Sequence, residues 1–411
     1  MSVLTGFSVR IKLFLFVTFF FILFNSFPLL ADLTNIQINI VCIITAVSLL
    51  VLFPQTMFSK PLKWFYSFIF ILFLNGIMGR YVHINGLDNL TLPFMWRLTI
   101  EIAWILPALQ IMSILLYLNN QRLFKVIGYG SVLILAISFV YILPLLMSHS
   151  NILREAMHEE NLDFVKPIGL PDYTLMHSYT LMLPGLCLYT KSHIGKHRYI
   201  SLALVALFFY IITQTAVSTS LGLSIMIFLF SFFYDDRRKV KTIFVLVLFA
   251  ILSILAYQLG LVLSLVDSLM PFFEGTAVEP KLIDLHNSII AGQLQGGSIE
   301  GRANLHDISK DAFWENPFFG GGRAGKHSHV FDLLGSVGLF GFIPFFMIIW
   351  SSLKKYSLIV NDGLCRKFLY LCFAIAGVYL YHKGIFGATG WLFMCVIAPS
   401  LIVAVNNDNK A

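Results

Sequence analysis

Residues 323–352 read RAGKHSHVFDLLGSVGLFGFIPFFMIIWSS. A basic, glycine-containing segment passes through His327 into an apolar stretch at 329–352. That stretch is long enough to cross a bilayer, whose hydrocarbon core takes about 20 apolar residues in a helix. The same ruler carried outward along the chain finds about twelve spans. They lie near 11–31, 36–54, 62–78, 94–117, 123–147, 173–190, 198–215, 217–234, 242–266, 329–352, 367–382 and 385–405. Composition agrees: of 411 residues 58% are hydrophobic, 15% aromatic and 12% charged, with a mean hydropathy of +0.83. Soluble domains carry about a quarter charged residues, so an ordinary cytosolic enzyme, a disordered tail and a nucleic-acid binder are excluded. The first span is too long, and too closely followed by a second, for a cleaved signal peptide. The expected fold is an all-α integral membrane protein with about twelve transmembrane helices, in a single polytopic domain over 1–411.

The net charge is +7, and in a membrane protein the side on which the bases lie sets the orientation. Arg10, Lys12, Lys60, Lys63, Arg122, Lys125, Lys191, Lys196, Arg198, Arg237, Arg238, Lys239, Lys241, Lys354, Lys355, Arg366, Lys367 and Lys410 fall on one face, 18 of the 28 basic residues. That face is expected to be cytoplasmic, with both termini on it. The positive charge is then mostly a topology signal. The five cysteines lie in or beside apolar runs, and no pair has metal-ligand spacing, which argues against disulfide and zinc chemistry.

Two loops are long enough to do chemistry, a first at 148–172 and a larger one at 267–328 between helices 9 and 10, both on the outer side. The second is the only extended polar stretch, a length that usually serves function, and short surface helices are expected within it. It carries Gly301-Arg302, Trp314, Asn316-Pro317, Gly320-Gly321-Gly322-Arg323, Gly325-Lys326 and His327-Ser328. Glycines and positive charge beside a helix N-terminus suit an anion, phosphate above all. The alternative is a flexible linker with a basic residue. His327 is placed to act as a general base or simply to lie solvated at a helix start. His306 and His329 are weaker candidates. Arg97 and Glu101, four apart in the fourth span, are either a self-neutralising pair or the wall of a polar cavity shared with Arg80. Arg154 and the acidic residues around it make the first loop polar, as suits sugars or any solvated loop. Tyr81, Trp96 and Trp314 are either sugar-stacking platforms or interface anchors.

The segment His327-Ser328, nine residues, Gly338, two residues, Gly341 resembles the signature of the bacterial O-antigen polymerase (Wzy) and O-antigen ligase superfamily, matching it at every defined position. The upstream Arg302, Trp314, Asn316-Pro317 and the glycine run are similar to that family's pattern too. The motif likeness covers 301–341, and the span architecture agrees over the whole chain. The resemblance implies a metal-independent inverting glycosyltransferase with no cofactor, working at the periplasmic face of the inner membrane in lipopolysaccharide biosynthesis. His327 would be the base or acceptor-positioning residue, and Arg302 would hold the diphosphate of an undecaprenyl-diphosphate-linked oligosaccharide. Guanidinium forks neutralise such a leaving group well.

Members of the superfamily commonly carry a Ser-Arg or Thr-Arg pair after the seventh span, where this chain reads Thr213-Gln214-Thr215-Ala216-Val217-Ser218-Thr219. Arg323, Arg80 or Arg97 then supplies the second positive charge, or the donor is held differently. Polymerase is favoured over ligase, since two outer loops resemble the polymerase arrangement. The resemblance further implies membrane lipids and a chain-length-regulating co-polymerase as partners. The competing class is a transporter such as a lipid-linked oligosaccharide flippase. Against it, no repeated halves are visible and the long loop is off-centre.

Overall fold

The computed structural model describes residues 7–27, 30, 34, 37–79, 94–148, 173–214, 218–233, 260–274, 279–291, 297–325, 327–382 and 387–408. No strand occurs among them. In chain order the helices are α1 (Val9–Ser26), α2 (Ile38–Leu52), α3 (Lys60–Ile77), α4 (Phe94–Leu118), α5 (Gln121–Ser148), α6 (Tyr173–Ser192), α7 (Lys196–Gln214) and α8 (Ser218–Phe233). They continue as α9 (Leu261–Phe273), α10 (Glu279–Ala291), α11 (Gly297–Glu315), α12 (His329–Ile359), α13 (Gly363–His382) and α14 (Ala388–Asp408). Among the described residues seven helices are long and apolar enough to cross a membrane, and three shorter apolar helices accompany them. Of the twelve spans expected, the ninth lies outside the described residues over 242–259, as do residues 149–172 of the first loop. The larger loop is helical over much of its length, through most of α9 and all of α10 and α11.

The last helix is the core of the bundle. Its span is 94% buried, because it is apolar on every side and a helix without a polar face has to be surrounded. Helices α4, α5, α6 and α13 pack around it. Phe345 of α12 meets Trp391 edge-on at 5.6 Å, and Phe68 of α3 meets Phe345 at 5.5 Å, which ties α12 and α3 onto the same core. A π-turn over Phe393–Ile397 interrupts α14 just before Pro399, which has no N–H for the carbonyl of Cys395 four residues back. The Tyr356 hydroxyl of α12 takes that place, donating to the Cys395 carbonyl at 2.6 Å. All five cysteines are buried in the helices.

The ends of the bundle are set by side-chain bonds. At one end the Arg10 guanidinium donates to the Leu52 carbonyl, the Ser59 and Ser113 hydroxyls meet at 2.7 Å, Lys125 pairs with Asp408, and the amide of Asp362 donates to Asn406 at 3.0 Å. This gathers Arg10, Lys60, Lys63, Lys125, Lys354 and Lys355 at one end. At the other end Thr389 donates to Asn25 at 3.3 Å and Ser138 to the Ser26 carbonyl at 3.0 Å. There also lies the junction of α11 and α12, which carries His327.

Candidate functional site

The junction is built by the chain from Asn316 to Gly325, a strap laid across the first half of α12. Two glycines decide its path. Gly338 breaks α12, with φ 60° and ψ −161°, a conformation essentially closed to residues with a side chain. A Cβ there would lie 2.4 Å from the Phe318 carbonyl oxygen. Gly320, at φ 76°, would put its Cβ 2.5 Å from the backbone of Ser336. Strap and helix therefore touch backbone to backbone.

The break frees amides that an unbroken helix would satisfy from four residues back, and the strap supplies the partners. Leu339 donates to the Pro317 carbonyl at 2.9 Å and Phe340 to Phe318 at 3.1 Å, while Gly322 donates to the Gly335 carbonyl at 3.2 Å. The triple glycine is thus a close-packed element of the helix junction, with the amides of Gly320 and Gly322 engaged on the carbonyls of Asn316 and Gly335. The upstream Asn-Pro and glycine motif and the downstream Gly338 form one physical unit.

His327 stands one residue before the N-cap of α12. The Ser328 hydroxyl caps the helix by accepting from Phe331 at 3.4 Å. Below it lies Asp332, 1% exposed, whose carboxylate accepts from the Ser309 hydroxyl at 2.7 Å and from the Ser328 amide at 3.2 Å. Ser309 in turn accepts from the Gly325 amide at 2.8 Å. The network pins the chain on both sides of His327, at Gly325 and at Ser328, to one buried carboxylate. Sequence reasoning missed Asp332 and Ser309. The available signal was a lone acid in an apolar span, expensive unless it is partnered.

The His327 ring is half-buried and lies 6.0 Å from the ring of His306 on α11. His306 packs on Phe331 at 5.3 Å, Phe331 on Tyr381 at 5.4 Å, and Lys310 stands over Phe331 at 5.4 Å. Arg302 occupies α11 four residues before His306, and residues so spaced share a helix face. Its side chain lies outside the described residues, as do the side chain of Arg97 and all of Arg80, Thr215 and Lys326. The backbone thus brings His327, His306 and the Arg302 position to one side of α11.

Arg323 is elsewhere. Ile308, Asp311 and Glu315 lie about half a turn of α11 from Arg302, His306 and Ser309, at 100° per residue. With Trp314 and Arg323 they line a shallow concavity on that other face. There Arg323 pairs with Glu315, both side chains about half exposed. Glu101 is buried in α4, 2% exposed.

A second polar cluster lies among α6, α8 and α13, where His177 Nδ1 and Ser220 Oγ are 2.8 Å apart and the Tyr379 hydroxyl donates to Ser220 at 3.1 Å. Ser220, which belongs to this cluster, follows directly on the Thr213–Thr219 stretch. Among the described residues no group of three His, Cys, Asp or Glu side chains is placed to hold a metal ion. No family model matches the chain, and no curated protein matches it.

Proposed function

We propose that this chain is an O-antigen polymerase-type glycosyltransferase of the inner membrane, joining undecaprenyl-diphosphate-linked oligosaccharide repeat units at the periplasmic face. The observation that carries the reading is the unity of the signature. Its histidine, its glycine at 338 and the upstream Asn316–Gly322 run, separate in sequence, meet in one close-packed junction. A reactive group benefits from being held to a fraction of an ångström, since positioning alone is worth several kcal/mol of a barrier. The bonds from Asp332 through Ser309 and Ser328 supply that support.

In this mechanism the imidazole of His327 takes the proton of an acceptor sugar hydroxyl as the oxygen attacks the anomeric carbon of the donor. The bond from that carbon to the diphosphate oxygen breaks with inversion, and the polyprenyl diphosphate leaves with the bonding electrons. Arg302, on the same side of α11 as His306, is assigned to the diphosphate, whose developing charge a guanidinium fork neutralises. Arg97 and Arg80 are the candidates for a second charge. Arg323, already paired with Glu315 and beside Trp314, suits hydroxyl-rich glycan rather than diphosphate. The chain-length-regulating co-polymerase belongs to this reading as a partner.

The test is the lipopolysaccharide ladder of a deletion strain complemented with wild type, His327→Ala or Arg302→Ala, each at matched membrane levels. The expected result is core bearing a single repeat unit in the deletion and in both variants. Core without any repeat, with long glycan held on the lipid carrier, assigns the ligase reaction instead. Repeat units trapped on the cytoplasmic side point to a flippase, and a full ladder from His327→Ala removes the proposed base.

A further inference from the structure

At the end of the bundle opposite His327, about 40 Å away along α12 at 1.5 Å per residue, lies a cavity of about 390 Å³. It is bounded by the turn between α2 and α3, the last turn of α4 and the last turns of α12. Its polar wall is Gln55, Thr56, Ser59, Ser113, Asn119 and Lys355. Ser59, the N-cap of α3, turns its hydroxyl to Ser113 instead of to the first amides of its own helix. The remaining wall is apolar and opens outward through Phe58, Tyr117 and Leu358, which are 74%, 61% and 69% exposed.

Charge selects what would fit. Among the described residues no acid lines the cavity, and Lys60, between the lining residues Ser59 and Pro61, is exposed. The described acids of this end are engaged elsewhere: Asp408 pairs with Lys125 and accepts from Tyr129, and Asp362 accepts from the amide of Cys365. Arg10 is also committed, bonded to Leu52 and Gln55 and lying over the Phe53 ring. Among the described residues Lys355 is the cation in the cavity wall.

We infer that this cavity is a binding site for the headgroup of an anionic phospholipid. The phosphate meets Lys355 and the side-chain amides of Gln55 and Asn119, and the acyl chains leave over Phe58, Tyr117 and Leu358. Basic pockets between membrane helices take acidic headgroups for this reason. A soluble phosphate ester would satisfy the polar wall alone, whereas the exposed apolar rim of Phe58, Tyr117 and Leu358 commits the site to a lipid. The inference stands apart from the reading of the His327 end and survives its failure.

The experiment uses the full chain reconstituted in vesicles of equal parts phosphatidylglycerol and phosphatidylcholine, extracted in mild detergent, with the retained lipid identified by native mass spectrometry. Wild type is expected to hold phosphatidylglycerol in preference to phosphatidylcholine. Lys355→Gln should lower that retention about fivefold, the worth of one basic residue at a membrane surface. Lys12→Gln, an exposed lysine that does not line the cavity, should leave it unchanged. Equal retention of the two lipids, or equal loss in both variants, overturns the site. Displacement of the lipid by millimolar glycerol phosphate overturns the commitment to a lipid.

Discussion

Two regions of this molecule hold together by opposite means. Helix α14 is fixed by burial on every side, with Trp391 and its neighbours in a continuous apolar core. The junction of strap, α11 and α12 is fixed by backbone contact, hydrogen bonds to the amides freed at Gly338, and one buried carboxylate. Burial is forgiving of detail, since apolar residues of similar volume replace one another at a cost below about 1.5 kcal/mol. Backbone contact is not, because no rotamer can move a carbonyl out of the way. Substitutions in the two regions should therefore fail differently, the first in stability and the second in the geometry around His327.

The largest effect is expected from Gly338→Val. The side chain enters the Phe318 carbonyl, and backbone strain plus overpacking together cost about 2–6 kcal/mol. The strap should leave α12, with rapid proteolysis inside 316–326 and, on the proposed polymerase reading, loss of the polysaccharide ladder. A variant with wild-type melting and an intact ladder would show that strap and helix do not depend on each other.

Trp391→Ala comes next. Removing an aromatic side chain from a packed core costs about 3–5 kcal/mol, and its ring lies against Phe345. The melting temperature of the purified protein should fall markedly, while whatever remains folded at low temperature keeps the strap protected from protease. Strap exposure at a temperature where the bundle is intact would mean that the two regions are one unit.

The two regions were unequally legible in the sequence. Hydropathy alone marks α14 as a span at 385–405, and the helix lies at Ala388–Asp408. It does not say that this is the central helix, because that depends on which helices pack on which. The junction announces itself only as a motif: Asn316-Pro317, three glycines, His327, Gly338. Composition reads the glycines as freedom or anion binding and gives no sign of their close approach to α12, since a partner carbonyl twenty residues away has no trace in local propensity. His327 was legible as a candidate, but Asp332 was absorbed into an apolar run, and the pairing of Arg323 with Glu315 depends on how the strap turns back over α11.

Asp332→Asn should separate the regions at intermediate size. The amide keeps one acceptor for Ser309 but turns an NH₂ group towards the Ser328 amide, forfeiting a charged hydrogen bond worth about 1.5–3 kcal/mol. Amide exchange at Gly325 and Ser328 should rise about tenfold or more, with α14 unchanged, and on the proposed reading the ladder should collapse. Unchanged exchange at those two amides would remove the carboxylate as the support of His327.

The smallest effect is expected from Glu315→Gln. Its ion pair with Arg323 joins side chains 57% and 53% exposed, and such pairs contribute between nothing and about 1 kcal/mol, so melting should not move. What changes is the concavity, where Arg323 would face Trp314 and Asp311 without its partner. If Arg323 served the diphosphate, releasing it from Glu315 would strengthen donor binding and lengthen the ladder. If it serves glycan hydroxyls, the lost carboxylate takes acceptor oxygens with it and the ladder shortens. The opposite face of α11 holds Arg302 and His306, so on the proposed glycosyltransferase reading the direction of that change decides which side of one helix would hold the charge of the donor.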